Sequence, residues 1–213
     1  GVQHVLRLVE STEGTKTLIA LMQSGKLPAL LGTPLALAAL PQVPVQNSRL
    51  EQAFSVVRRA LMGLTTDEAL SEEAMQAALP LLIALARQSV YNVWAWYIPE
   101  KEERLADALQ DRLEASAPFT PGIRPLWDAA LLISYRASDR LACAEALEAL
   151  AQQAGNEAFS GLICTAVIEP RADRARARTI DALNTIEDAT SLAVQEQYEE
   201  DPYPRWVHLA PIA

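Results

Sequence analysis

The stretch Ser48-Arg-Leu-Glu-Gln-Ala-Phe-Ser-Val-Val-Arg-Arg-Ala-Leu61 decides the fold class. Leu50, Ala53, Phe54, Val57, Ala60 and Leu61 recur at i, i+3, i+4, i+7, i+10 and i+11. That spacing sets apolar side chains on one face of an α-helix. Ser48 and Glu51 stand three apart, as the two members of a capping box do. Arg58 and Arg59 are expected on the flank of the stripe near its C-terminal end, where the backbone dipole favours cations. Gly63 and Thr65-Thr66-Asp67 close the element.

The same period recurs on both sides. Toward the N-terminus, Val5, Leu6 and Val9 belong to a short helix or to the end of a longer one, residues 16–22 form a second apolar segment, and residues 27–40 are short helices broken by Pro28 and Pro34. Pro41 to Pro44 is a rigid loop. Toward the C-terminus, Met75, Ala78, Leu79, Leu82, Ile83 and Ala86 form a stripe over 71–93 whose register continues across Pro80, which favours a kinked helix over a fresh start. Pro99 reads as a first-turn proline followed by Glu100, Glu102 and Glu103, the favourable charge for a helix N-terminus, in a helix reaching Ala115. Residues 116–125 hold three prolines and Gly122 and read as a boundary or hinge. Helices follow over 125–136, 139–154 and 156–168, the middle one closed by Gly155. Pro170 opens an Arg/Ala segment, and Asp188 starts a last helix toward Tyr198. No run alternates at period two. The expected fold is all-α, an irregular array of stacked antiparallel helices with no sheet, parsed as 1–118, 119–198 and a Pro/aromatic linker over 199–213.

Composition bounds the function. The chain has 213 residues, 50% of them hydrophobic and 21% charged, with a mean hydropathy of +0.06, a globular balance for one large or two small domains. Its apolar runs end short of the ~20 residues that span a bilayer, and no basic segment leads into an apolar one as a secretory signal requires. A net charge of −9 opposes nucleic-acid binding. Cys143 and Cys164 read as reduced core thiols, which fits a cytoplasmic protein.

Near the end, Gln197-Tyr-Glu-Glu-Asp-Pro-Tyr-Pro-Arg-Trp206 resembles the Q-Y-E-x-x-P-Y-P-R-W signature of a bacterial family. In that family, tetratricopeptide repeats precede a helical region and a class I S-adenosylmethionine-dependent methyltransferase domain, and the signature sits just ahead of the latter. Leu50, Glu51, Arg58, Arg59 and Leu61 are similar to the family's L-E-x-x-L-T-x-x-R-R-x-L helix, with Phe54 and Ser55 departing from it. Ala84, Leu85, Ala86, Gln88 and Asn92 match part of a second segment, where Ser89 replaces a Cys and Val93-Trp94 a Glu-Tyr pair. The resemblance implies a non-catalytic helical region that positions or recognises substrate or docks an adjoining domain. S-adenosylmethionine is then that domain's cofactor, and its partner is the domain itself or a protein or peptide substrate. The alternative is a stand-alone helical interaction scaffold. No regular 34-residue repeat is present.

Motifs for chemistry are missing. There is no Gly-x-Gly turn for a cofactor, no phosphate loop and no nucleophile elbow. His4 and His208 stand at opposite ends without metal-ligand spacing. No catalytic, cofactor or metal residue is therefore assigned. Arg171, Arg174, Arg176 and Arg178 read as a solvated or acid-pairing surface. Within Tyr91-Asn-Val-Trp-Ala-Trp-Tyr97, the candidates are Tyr91, Asn92, Trp94 and Trp96, where burial between helices outweighs a ligand groove. Asn92, if buried, must find partners and could hold a neighbouring backbone segment. Tyr198, Tyr203, Pro204, Arg205 and Trp206 are the docking candidates.

Overall fold

The computed structural model describes Leu40 and residues 48–66, 70–179 and 188–200. Those residues are mostly helical and contain no strand, so the fold is all-α. Two compact units divide the chain after Arg171.

In the first unit, α1 (Ser48–Thr66) buries Ala53, Phe54, Val57, Ala60 and Leu61, the face expected from its periodicity. α2 (Glu72–Tyr91) is capped by the Ser71 side chain, which accepts from the Ala74 amide at 3.2 Å. Helix α2 runs on through Pro80, and its second half is buried on nearly every side from Leu81 to Val90. Pro99 precedes α3 (Glu100–Ala115), one position earlier than expected. The 116–122 loop joins α3 to α4 (Ile123–Ile133) inside this same unit.

Helix α4 is the centre of the array. Every residue from Leu126 to Ile133 is buried, as befits a helix that is apolar nearly all round. It packs most extensively on α2, then on α3, and also touches α1 and α6. Residues 134–143 form turns, so α5 (Ala144–Gln153) starts later than its apolar pattern suggested, and Gly155 follows it with φ +60°. That left-handed position suits glycine at a helix end. α6 (Glu157–Ile163), capped by Asn156, continues through a π-helical turn, Cys164–Ile168, into α7 (Glu169–Ala177). Arg171 reaches back to Glu145 at 3.1 Å and Glu148 at 3.2 Å. The second unit contains the end of α7 and α8 (Ala189–Glu200). Asp188 caps α8 by accepting from the Ser191 amide at 2.8 Å, and α8 ends at Glu200, before the Asp-Pro step.

Among the described residues no helix is long and apolar enough to cross a membrane. Cys143 and Cys164 are free thiols. Arg176 pairs with Asp173 at 2.7 Å, so acid pairing is the observed fate of two members of the arginine run.

Candidate functional site

The first unit is built around a buried cation. Arg58, expected on the flank of α1, is 1% exposed. The expectation failed because helical spacing alone cannot foresee that two aromatic rings and a helix terminus converge on that flank. The Arg58 guanidinium lies 4.3 Å from the centre of the Tyr135 ring and 5.7 Å from that of Trp96, distances at which a cation is attracted by a ring face. Its Nη1 donates to the Ser134 carbonyl at 3.2 Å and its Nη2 to the Tyr97 carbonyl at 3.3 Å. Nε is buried without a partner. Burial lowers the arginine's pKa from its ordinary value, while Tyr135 and Glu102 oppose that shift.

Glu102, on the first turn of α3, supplies the compensating charge. It is 4% exposed, accepts from the Tyr135 hydroxyl at 2.9 Å and pairs with Arg59. Burial, then the adjacent Glu102 carboxylate, push the Tyr135 hydroxyl well above the usual phenol range. The last carbonyls of α4 lack helical donors, and side chains from α2 and the following turn satisfy them. Ser89 Oγ donates to Ser134 O at 2.8 Å and Trp94 Nε1 to Ile133 O at 2.7 Å. The negative end of the α4 dipole therefore faces Arg58, which further favours the cation.

The aromatic segment after α2 divides between core and surface. Tyr91 is partly buried at the helix end. Asn92 caps α2 through its main-chain amide, which donates to Gln88 O at 3.1 Å. The partner that burial demands is missing for its side-chain oxygen, since Oδ1 is buried without one. Trp94 is the side chain of this segment that bridges to the end of α4. Val93 and Trp94 both adopt left-handed backbone, φ 56° and 55°, which is strained for a β-branched or bulky residue. This turn sends Trp96 inward against Phe54, ring centres 6.0 Å apart, and leaves Tyr97 80% exposed.

Ala95, Trp96 and Tyr97 form one wall of an open groove of about 490 Å³; the outer face of α1, including Glu51, Ser55 and Arg59, forms the other. Core packing and groove lining are thus combined in Trp96. Among the described residues there is no cluster of acidic, histidine or cysteine side chains able to hold a metal. Of the docking candidates, Tyr198 lies in α8, and Tyr203, Pro204, Arg205 and Trp206 lie outside the described residues. Comparison with protein-family models, with curated proteins and with solved structures finds no match to this chain.

Proposed function

We propose that this chain is a non-catalytic helical region that positions a protein or peptide partner for an adjoining S-adenosylmethionine-dependent methyltransferase domain. The observation that carries the positioning role is the open groove beside Tyr97, whose walls are tied to the buried Arg58. A firmly held concave surface with an exposed aromatic edge suits recognition, because little ordering entropy is lost on binding. The methyltransferase part rests on the resemblance of residues 197–206 to the junction signature. Tyr203, Pro204, Arg205 and Trp206 are then the contact that docks the catalytic domain. The cytoplasm is the location that fits two free thiols.

The test uses the native gene product that contains this chain, supplied with radiolabelled S-adenosylmethionine. Label should pass to a protein or peptide acceptor, and Trp206→Ala should lower turnover and increase proteolysis between the domains. If no label is transferred, the methyltransferase reading fails. A stand-alone interaction scaffold is the second reading. It is favoured by the groove itself, which is built entirely from residues of the first unit.

A further inference from the structure

We infer that the groove between α1 and residues 95–97 binds an extended, proline-containing peptide segment that carries an arginine. This rests on the reading of the chain as a partner-positioning module and names the chemistry of the partner.

Three observations point to that occupant. The first is the aromatic wall. Tyr97 is 80% exposed beside Trp96, which is 8% exposed and lines the same groove. Neighbouring rings of this kind receive proline-rich segments in several unrelated domains, because a polyproline helix is already ordered and presents flat pyrrolidine faces. The wall is held in place. Arg58 binds the Tyr97 carbonyl at 3.3 Å, Trp96 rests on Phe54, and the left-handed pair Val93-Trp94 fixes the direction of the chain. Strained backbone of this sort persists where surrounding contacts determine it, and it concentrates at binding sites.

The second observation is an unmet donor. The Trp96 indole N–H is buried and has no acceptor, a condition rare in folded proteins. A polyproline segment has no internal hydrogen bonds, so its carbonyls are the class of acceptor this group lacks. Because Trp96 lines the groove, a segment docked there lies beside that indole.

The third is charge. Arg59 is engaged by Glu102, whereas Glu51 on the same wall forms no ion pair among the described residues. The groove therefore offers a carboxylate beside an exposed phenol ring, within a chain of net charge −9. Arginine fits both, since its planar guanidinium pairs with carboxylates and stacks on aromatic faces. The same sign disfavours a nucleic acid.

An array of short randomised peptides, probed with the purified full chain, tests the assignment. Retained peptides should be enriched in proline adjacent to arginine. Tyr97→Ala should weaken retention about tenfold or more, as for a central aromatic anchor. Glu51→Gln should weaken it about two- to fivefold, and Glu51→Lys should shift the enrichment from arginine to glutamate. Tyr97 is exposed and Glu51 half-buried in the first turn of α1, so thermal melts of each variant separate lost binding from lost folding. Retained peptides without the proline–arginine preference, or retention indifferent to Tyr97→Ala in a folded variant, overturn the proposal. Self-association of the chain that Tyr97→Ala abolishes would assign the groove to a second copy and also overturn it. The array involves no methyl transfer. Peptide binding with no transferase activity in the native gene product therefore removes the methyltransferase reading alone.

Discussion

The guanidinium of Arg58 sits 4.3 Å from the centre of the Tyr135 ring, and the hydroxyl of that same tyrosine donates to Glu102 at 2.9 Å. The ring thus faces the cation while its edge binds the anion. Four pieces of the first unit meet there: α1 through Arg58 and Arg59, α3 through Glu102, the end of α4 through Ser134 and Tyr135, and the aromatic turn through Trp96 and Tyr97. An uncompensated buried charge is costly, so these segments are held together by the need to keep Arg58 matched.

Arg58→Met should destabilise the fold by about 3–5 kcal/mol, the range for breaking a buried charge network by removing one partner. Arg58→Lys should recover only part of this, because an ammonium lacks the planar fork that bonds two carbonyls while stacking on rings. Urea denaturation of the three proteins measures both. A loss in Arg58→Met below about 1 kcal/mol would show that the cluster contributes little beyond its packing.

Tyr135→Phe keeps the ring over Arg58 and removes only the hydroxyl. A cost of about 1.5–3 kcal/mol is expected, as for a hydrogen bond to a charged acceptor. Combined with Glu102→Gln the losses should not add, since the two groups share one bond, and a double-mutant cycle should return a coupling of about 0.5–3 kcal/mol. Strict additivity would contradict the geometry.

Val93→Gly should stabilise the protein. Left-handed backbone costs an L-residue roughly 1–2 kcal/mol, and glycine's extra entropy returns about 0.5–1 of that. Val93 is 36% exposed and lies outside the hydrophobic core, so removing its side chain gives up less packing than loss of a core valine would. A gain of about 0.5–1 kcal/mol is expected, and a lower melting temperature would mean that the valine side chain holds the turn.

Burial, with Glu114 nearby, pushes the Cys143 thiol up to about 11 from its ordinary 9.0. Well below pH 9 the thiol is neutral in both folded and unfolded chains and its ionisation contributes nothing. Between about 9 and about 11 the unfolded chain releases the proton first, so stability must fall as pH rises through that window. Cys143→Ala removes the effect. The stability difference between wild type and variant should shrink from about pH 7.5 to about pH 10.5 by denaturant titration. A constant difference would show that the thiol ionises alike in both states.

Much of the helical outline is legible in the residues. Ser71, Asn156 and Asp188 mark helix starts because their side chains accept backbone donors that a helix leaves free. Gly155 marks a stop because its φ is positive. The stripe of α1 is readable for the same local reason. The extent of α2 burial and the central place of α4 are not, because periodicity reports that a face is apolar, and only neighbours decide whether the remaining faces are covered. The uninterrupted apolar run around Ala129-Ala-Leu-Leu-Ile133 is the available signal for α4.

The aromatic segment stands out in the residue order as unusual, but the roles within it are not assignable from that order. Asn92 is a candidate bridge in the residue order and Trp94 is the side chain that bridges to Ile133, since the choice depends on two left-handed residues that no propensity favours at Val-Trp. Arg58 gives no warning at all, because an arginine near a helix C-terminus looks the same whether water or protein surrounds it.

By itself, then, the order of residues determined the helical class, most element boundaries and the place where aromatic chemistry gathers, for each of these is set by interactions within a few positions along the chain. Tertiary structure alone decided that Arg58 is buried, that Trp96 serves core and groove together, and that Tyr97 faces solvent. Those outcomes depend on rings, carbonyls and a carboxylate brought together from positions 58 to 135. Their energies exist only once the intervening helices have packed.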